Sequence, residues 1–388
     1  LLTSHTLTSH LIFWLLALPI CACGQPTYTA NDVVPPYDGK FGYGANIGYF
    51  PPHYYDMELA TLAHGSPDGK VPGMGVTTIR PGLFEHFLDY WGYDIRKQHF
   101  QYYDSIGLQN VVAIIGFPGE TNRDPAYYCP GERSELFKNL YEPIWDNGEN
   151  GTPVNDNNPY ALYCWKAANT YKGLIRIWEV WNEPDLPLFW TGGVEAYARL
   201  LKVAWLAAHA ADPNAYVMFG GLAYGDPDTQ NWLAETLSVI QNDPARTTHN
   251  WYMDAVAVHA YSYARRAGLV VRRVHQTLRE FGLDRRVWLN ESGAPVWDDY
   301  PGPVWTSNAP EERQYRLTMQ QQAALVILST AYAWANGADV VLIHQLYDDC
   351  GDAAGNFPPH NGDLCATGAM CSGDAYGLYR NERGEVCF

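Results

Sequence analysis

The sequence predicts a (β/α)₈ barrel built as one large domain. Two observations support this prediction: segments of strand length alternate with segments of helical periodicity, and eight such strands occur along the chain. The third strand is apolar throughout, which is typical of a parallel strand buried on both faces. With 388 residues, 47% of them hydrophobic, the chain can bury a core of barrel size. A doubly wound open sheet is the alternative, but the Gly-rich first crossover typical of that fold is absent.

The predicted strands are short, and Gly or Pro follows them. They span residues 41–46, 76–80, 111–117, 177–183, 216–220, 255–259, 286–290 and 339–345. The predicted helices span residues 54–64, 94–105, 160–171, 197–211, 232–240, 267–281 and 311–336. Gly282 stands where a helix C-cap favours glycine. Because the chain ends soon after the eighth strand, we expect the last barrel helix to be missing or degenerate.

A long insertion follows the third strand. Residues 118–159 are rich in Gly, Asn, Asp and Pro, which predicts a surface loop. The insertion carries Cys129, and the clustering of cysteines along the chain favours a disulfide between Cys129 and Cys164. Four further cysteines are expected to pair among themselves, with a structural zinc site as the alternative. These are Cys350, Cys365, Cys371 and Cys387.

The first residues are predicted to direct export. Leu11–Ile20 is an apolar run of signal-peptide length and is short for a membrane span, although no Lys or Arg precedes it. We therefore expect a signal peptide at residues 1–24 and a linker at 25–39. A single domain should occupy residues 40–388.

Two modes of processing remain open at the end of this signal. Ile20-Cys21-Ala22-Cys23-Gly24 resembles a bacterial lipobox, in which Cys23 would be lipidated and would attach the protein to a membrane. Cleavage by an ordinary signal peptidase after Gly24 is the competing interpretation. Either mode predicts an exported protein that is secreted, periplasmic or lipid-anchored at the cell surface.

The charge of the chain limits its partners. The formal net charge is −17, and no cluster of Lys and Arg is present. Nucleic acids and anionic lipid surfaces both require such clusters, so electrostatic binding to either is excluded. Aromatic residues make up 14% of the chain, and although most should belong to the core, those near strand ends could stack on sugar faces.

Two predicted strands end in the dipeptide Asn-Glu. The fourth strand ends at Glu183 before a proline, and the seventh ends at Glu291. Regular alternation puts Glu179 on the same face as Glu183, about 13 Å deeper, where it needs a cationic or hydrogen-bonding partner. The carboxyl ends of barrel strands meet at one face, which is where barrels place their reactive groups. Paired carboxylates there predict the acid and nucleophile that hydrolysis of a glycosidic bond requires.

Trp181-Asn182-Glu183-Pro184, together with Glu291, resembles the retaining glycoside hydrolases of clan A, over roughly residues 40 to 380. The segment Glu-Val-Trp-Asn-Glu-Pro-Asp at residues 179–185 is most similar to families 39 and 5 of this clan. The resemblance implies that Glu183 is the general acid/base, that Asn182 binds the sugar 2-hydroxyl, and that Glu291 is the nucleophile. It implies no metal or cofactor. We expect the charge of Glu291 to raise the pKa of Glu183 and so keep it protonated.

Three residues at other strand ends match supporting positions of the clan. The resemblance implies that Arg80 keeps Glu291 ionised by a charge-assisted hydrogen bond. A structural salt bridge, with Glu179 as the suggested partner, is the alternative role of Arg80. His259 and Tyr261 resemble the His-x-Tyr pair of the sixth strand, in which the tyrosine hydroxyl bonds the nucleophile. A histidine satisfied within the core is the alternative for His259.

Four further residues are predicted substrate contacts. Trp181 stands two residues before the proposed acid Glu183. Asn46 ends the first strand, where an asparagine could equally well serve as a cap. The clan often has a tryptophan on the eighth strand as the floor of the sugar subsite. This sequence has His344 and Tyr347 there instead, which puts the substrate in doubt more than the reaction.

The sequence therefore predicts an exported, metal-independent retaining glycosidase. Its expected partner is an oligo- or polysaccharide with a β-linked gluco-, xylo- or galacto-configured sugar, and its oligomeric state stays open. The alternative from another class is a catalytically silent carbohydrate-binding barrel at the cell surface. A metal-dependent hydrolase is disfavoured, because the first strand ends in Ala45-Asn46-Ile47 rather than His-x-His.

Overall fold

The computed structural model is a closed barrel of eight parallel strands with helices outside it, which confirms the predicted fold class. The structure describes residues 42–47, 57–108, 110–129, 132–133, 136–224, 231–261, 263–294, 317–346 and 377–378. The strands follow one another around the barrel in chain order, and the eighth closes on the first. Around the ring, all eight neighbouring pairs are parallel.

The barrel strands start close to their predicted positions. They are β1 Gly42–Ala45, β2 Thr78–Ile79, β3 Asn110–Ile115, β4 Ile177–Asn182, β5 Tyr216–Leu222, β6 Ala255–Tyr261, β7 Arg286–Gly293 and β8 Ala338–Ile343. Strands β5, β6 and β7 each continue two or three residues beyond the predicted end. Their extra residues pair with neighbouring strands at the carboxyl face, where hydrogen bonding continues past the apolar run that the sequence shows.

Eight helices surround the described part of the barrel. They are α1 Met57–His64, α2 Glu85–Trp91, α3 Lys97–Ile106, α4 Pro159–Thr170, α5 Gly193–Ala211, α6 Trp232–Gln241, α7 Ala264–Glu280 and α8 Met319–Ala335. Helix α2 was not predicted, because it is only seven residues long and buries just Glu85 and Leu88. The predicted helix at 94–105 is α3. We expected the last barrel helix, after β8, to be missing or degenerate; apart from residues 377–378, the chain beyond residue 346 lies outside the described residues.

Local signals explain several helix ends. Thr318 and Gln321 form a capping box at the start of α8, each side chain accepting a backbone N–H of the other. At the start of α4, the Asn158 side chain accepts the backbone N–H of Ala161, and Pro159 lies in the first turn. Gly282 follows α7 with a φ of 68°, as predicted for a residue just past a helix end.

The barrel interior is apolar at its base. Met218 on β5, Ala257 on β6 and Trp288 on β7 belong to a buried cluster that also includes Val112 and Leu342. By strand alternation, Glu179 and Asn290 point to the same interior, one step nearer the carboxyl face. A dry apolar floor therefore lies beneath the polar residues of the mouth. No helix in the described part of the chain has the length and hydrophobicity to span a membrane.

The insertion after β3 is more than a surface loop. It contains a short antiparallel pair, Tyr127–Cys129 with Glu132–Arg133. Its second half inserts Phe137, Leu140 and Ile144 into the main core, where they are nearly fully buried. The prediction missed this because isolated apolar residues among Gly and Asn show no regular period.

The predicted disulfide between Cys129 and Cys164 is wrong. Cys164 is a free thiol, fully buried on the inner side of α4 beside Tyr160, and burial raises its pKa. Its spacing from Cys129 in the sequence does not reveal that its side chain faces the core. The four cysteines expected to pair among themselves, the predicted signal peptide and Cys23 all lie outside the described residues.

Candidate active site

Strand β4 ends in two residues with left-handed backbone. Trp181 has a φ of 71° and Glu183 a φ of 43°, which is rare for residues other than glycine. Regular alternation is therefore broken at the mouth, and both Asn182 and Glu183 direct their polar atoms to the site. The prediction of a shared face for Glu179 and Glu183 relied on unbroken alternation. Glu179 contacts Arg80 and Glu183 contacts His259, but the left-handed backbone at Trp181 lies between the two glutamates and breaks the alternation.

A second irregularity positions Glu291. Strands β6 and β7 pair Val258 with Leu289, and then His259 with Glu291, so the register shifts past Asn290. This bulge places His259 directly beside Glu291, while Asn290 still points inward to Glu179. The Nδ1 atom of His259 lies 2.7 Å from Glu183 Oε1 and 3.3 Å from Glu291 Oε2.

The two predicted catalytic glutamates meet around His259. A carboxylate oxygen of Glu183, one of Glu291 and a ring nitrogen of His259 all lie within 4.8 Å of one another. Within the described residues, Glu183, His259 and Glu291 also form a group of side chains that could hold a metal ion. However, Arg80 donates to Glu291 Oε1, so a divalent cation on that carboxylate would meet a guanidinium charge.

The surroundings of Glu291 favour its ionised form. Arg80 Nη1 donates to Oε1, and the Tyr261 hydroxyl donates to Oε2 at 2.5 Å. Burial alone would raise the pKa of Glu291, but the positive charges of His259 and Arg80 and the Tyr261 hydrogen bond outweigh it. The pKa of Glu291 therefore lies well below its usual range, and the residue is suited to act as a nucleophile.

The surroundings of Glu183 favour its protonated form. Burial is the largest influence and raises its pKa above the usual value, while the hydrogen bond with His259 opposes this. The negative charges of Glu291 and Asp185 raise the pKa further. The charge of Glu291 therefore acts in the expected direction, but burial contributes more to the raised pKa of Glu183. A carboxyl kept protonated beside an ionised one is suited to general acid catalysis.

Arg80 joins the polar residues of the mouth, where it contacts both of the glutamates suggested as its partners. It donates to Glu291, and it also forms a two-point ion pair with Glu179 at 2.6 and 2.9 Å. It also donates to Asn46 Oδ1 at 3.2 Å and to Asn182 Oδ1 at 3.0 Å. Asn46 additionally donates to the Asn290 carbonyl at 2.9 Å, so it links β1 to β7 below the mouth.

The sequence suggested Arg80 as a partner of Glu179 but did not indicate its two neutral donors. Gly221 N donates to Oε1 and Asn290 Nδ2 donates to Oε2, both at 2.9 Å. Position 221 requires glycine, because a Cβ there would lie 1.9 Å from His259 Nε2. A glycine near the end of a predicted strand was the available signal for such a close approach.

The two histidines of the site differ in charge. Burial would lower the pKa of His259, but Glu291 and Glu183 raise it above the usual value. Burial lowers the pKa of His344 to about 4, so its imidazole is neutral. Its ring packs edge-on against Tyr261, with 5.7 Å between centroids. The predicted contact Tyr347 lies outside the described residues.

Trp181 has no ring face available for a substrate. It is fully buried, stacks on Phe117 at 4.5 Å and meets Trp190 edge-on at 5.1 Å. Its indole N–H donates to the Phe189 carbonyl at 2.8 Å. Its role in the structure is to support the backbone of the Asn-Glu dipeptide from behind, rather than the sugar contact we expected.

Asp185 was part of the quoted motif, but no role was assigned to it. It is buried, and it accepts the backbone N–H groups of Ala223 at 3.0 Å and Tyr224 at 2.7 Å. Arg266 on α7 donates to the carbonyls of the same two residues. The loop that carries Glu183 is thereby attached to the end of β5.

Comparison with solved structures supports the fold. The chain is similar to a family 39 glycoside hydrolase from the gut symbiont Bacteroides cellulosilyticus WH2, with a TM-score of 0.52 and 15% identity over 90% of this chain and 62% of that one. It is also similar to a monomeric β-xylosidase from Caulobacter crescentus CB15, with a TM-score of 0.56 and 15% identity over 90% and 66%. A third match is a GH39 β-xylosidase from Caulobacter crescentus, with a TM-score of 0.52 and 17% identity over 81% and 64%.

The chain thus spans less than two thirds of the length of each of these proteins. No protein-family model matches the sequence, and no curated protein matches it. At such low identity these likenesses show a shared barrel fold, and the chemistry must be argued from the residues of the mouth.

Proposed function

We propose that this chain is a clan A retaining glycoside hydrolase, most similar to family 39, with Glu183 as general acid/base and Glu291 as nucleophile. One observation carries the proposal: carboxylate oxygens of Glu183 and Glu291 lie within 4.8 Å of each other at the carboxyl ends of β4 and β7. Retaining enzymes hold the two carboxyl groups about 5 to 5.5 Å apart, whereas inverting enzymes separate them by about 6.5 to 9.5 Å to admit a water molecule.

In the first step, Glu291 attacks the anomeric carbon and forms a glycosyl ester. The glycosidic C–O bond breaks as this bond forms, and its electron pair takes the proton of Glu183. Arg80 and Tyr261 hold Glu291 ionised and oriented for this attack. At the end of the step Glu183 carries the negative charge and Glu291 has none.

In the second step, Glu183 takes a proton from water, and the water oxygen attacks the anomeric carbon. The ester bond breaks and its electron pair returns to Glu291, so both carboxyls recover their starting states. His259 lies between the two glutamates, and its positive charge can follow the negative charge as it moves from one to the other.

The substrate we propose is a β-linked oligo- or polysaccharide whose sugar has an equatorial 2-hydroxyl, such as xylose, glucose or galactose. Asn182 supports this assignment, since its side chain is held at the mouth by Arg80 and adjoins Glu183. Two of the similar structures are β-xylosidases, which makes a xylose configuration the first to test. The proposed chemistry uses no cofactor.

The test is turnover of aryl β-glycosides by wild type and Glu291→Ala, with the anomer of the first product followed by NMR. We expect wild type to release the β-anomer first and the variant to lose activity. Initial release of the α-anomer would contradict a retaining mechanism. Equal residual rates in both proteins would favour the silent carbohydrate-binding barrel. Sizing of products from polysaccharides then distinguishes endo from exo action.

The grouping of Glu183, His259 and Glu291 gives a metal-dependent hydrolase a specific observation in its favour. The two proposals differ in their response to a chelator. Under the glycosidase proposal, dialysis against EDTA leaves kcat/KM unchanged. Loss of activity that Zn²⁺ or Mn²⁺ restores would favour the metal enzyme.

We also propose that the chain is exported, on the basis of the apolar run Leu11–Ile20. Expression in a bacterial host followed by mass spectrometry of the mature N-terminus tests this. A lipid on Cys23 would support membrane attachment, whereas a free N-terminus at Gln25 would support ordinary secretion. A chain that retains residues 1–24 in the cytosol would contradict export.

A further inference from the structure

Arg80 is a buried cation shared by two buried carboxylates. The side chains of Arg80 and Glu179 are 0% exposed and that of Glu291 is 6% exposed. Glu179 accepts hydrogen bonds from two nitrogens of the guanidinium, Nε and Nη2, whereas Glu291 accepts one from Nη1. The bidentate contact is the stronger and more directional of the two. Arg80 is therefore held primarily by Glu179, and Glu291 binds its third nitrogen, Nη1.

Glu179 is held on all sides. Besides the two donors of Arg80, it accepts from the backbone of Gly221 on β5 and from the Asn290 amide on β7. Four donors fill the acceptor sites of an ionised carboxylate, so Glu179 carries its negative charge within a complete shell. With no exposed surface it cannot reach a sugar, and the mechanism proposed above leaves it without a task.

The charge balance around Arg80 changes during turnover. In the free enzyme its positive charge faces Glu179 and Glu291. When Glu291 forms the ester with the anomeric carbon, its negative charge passes to the leaving oxygen and is neutralised there by the proton from Glu183. In that state Glu179 still provides a carboxylate bound to Arg80, whereas loss of both carboxylate charges from this buried cation would be strongly unfavourable.

We propose that Glu179 is a positioning residue that serves as the permanent counter-ion of Arg80, so that the glycosyl-enzyme can form without leaving a buried charge uncompensated. This inference rests on the proposed retaining function. Glu179 also keeps the guanidinium in place when the charge of Glu291 disappears, and the same donor is therefore ready to receive Glu291 when the ester is hydrolysed.

The test separates formation of the intermediate from its breakdown. Wild type and Glu179→Gln are treated with the 2,4-dinitrophenyl 2-deoxy-2-fluoro-β-glycoside of the sugar that wild type hydrolyses fastest, and labelling of Glu291 is followed by intact mass. In the variant we expect labelling to slow by about tenfold or more, because the ester leaves Arg80 uncompensated. The labelled variant should regain activity faster than wild type, whereas KM should change by less than about threefold.

Glu85→Gln is the matched control. Glu85 is another buried glutamate, and the two residues that donate hydrogen bonds to it, Gly119 and Asn122, are not residues of the mouth. Removing its charge should leave the labelling rate unchanged. Equal slowing in both variants would mean that loss of any buried carboxylate loosens the barrel, and would overturn the proposal.

A second comparison keeps the inference testable if Glu179→Gln does not fold. Because Glu179 acts through Arg80, the double variant Arg80→Gln with Glu179→Gln should label no more slowly than Arg80→Gln alone. A further loss in the double variant would overturn the inference. If wild type itself is hydrolytically active but never labelled, the retaining function fails instead. Labelling of wild type with unchanged rates in Glu179→Gln refutes only the role of Glu179.

Discussion

The ends of β4 and β7 each present one glutamate to the same cavity, and the two residues are driven to opposite protonation states. Glu183 and Glu291 are both largely buried and both lie beside His259. Glu291 also receives Arg80 and Tyr261, whereas Glu183 has the carboxylate of Asp185 nearby. Burial raises the pKa of either glutamate, and only Glu291 has enough positive partners to reverse this. In the proposed mechanism, the donors around each carboxyl therefore determine which glutamate acts as the acid and which as the nucleophile.

Removal of the β7 carboxylate should have the largest effect on this contrast. Glu291→Ala should lower kcat by about 10⁵-fold or more, as in other enzymes that lose their nucleophile. Added azide should occupy the vacated space, attack the anomeric carbon and yield the α-glycosyl azide, which NMR identifies. Glu280→Ala, at an exposed position on α7, is the control and should retain full activity. A β-glycosyl azide from Glu291→Ala would assign the nucleophile elsewhere.

Removal of the β4 acid should have an effect that depends on the leaving group. Glu183→Gln should slow hydrolysis of poor leaving groups by about 10²- to 10⁴-fold, which is the usual contribution of general acid catalysis. A dinitrophenyl glycoside needs no proton, so its bond cleavage should be affected least. The measurement is the dependence of kcat/KM on the pKa of the leaving phenol. A uniform loss across the series would show that Glu183 does not act as the acid.

Tyr261→Phe should reduce the difference in pKa between Glu183 and Glu291 by raising the pKa of Glu291. Loss of a hydrogen bond to a charged group should reduce kcat/KM by roughly ten- to a hundredfold. Catalysis needs ionised Glu291, so activity is lost as pH falls through its lowered pKa. Without the Tyr261 donor that pKa rises, and the acid limb of the kcat/KM profile should move to higher pH. A limb that stays in place would show that the hydroxyl does not support the nucleophile.

Asp185→Asn should give the smallest change, because it affects the pKa of Glu183 through one of its weaker causes. Catalysis needs protonated Glu183, so activity is lost as pH rises through its raised pKa. Removal of the Asp185 charge lowers that pKa, and the alkaline limb should move to lower pH by less than about one unit. The loss of kcat/KM at the optimum should be only a few-fold. A shift to higher pH, or none with a large loss of activity, would mean that Asp185 acts mainly through the β5 loop.

The sequence was informative where the signal was local. Eight apolar runs separated by helical segments predicted the barrel, and the two Asn-Glu dipeptides predicted which residues stand at its mouth. A capping glycine, Gly282, was also placed correctly. Contacts between distant strands were not accessible in this way. The shell of Glu179, built by Gly221 and Asn290, joins three strands and has no sequence period.

Some expectations failed because side-chain direction depends on tertiary packing. Cys164 was assigned to a disulfide by its spacing, yet its position on the inner face of α4 buries it as a thiol. Trp181 stands two residues before Glu183 in the sequence, but its ring packs in the core against Phe117 and Trp190. In both cases the neighbours that fix the side chain lie far away along the chain.

By itself the sequence determined the barrel class and the pair Glu183 and Glu291 as strand-end carboxylates, because hydrophobic period and chain punctuation are local properties. Only the tertiary structure decided that the pair converges, through the turned backbone at Trp181 and the register shift past Asn290. It also decided their opposite protonation states. A carboxyl group's pKa depends on burial and on charges within a few ångströms, and those are supplied by strands that are remote in the sequence.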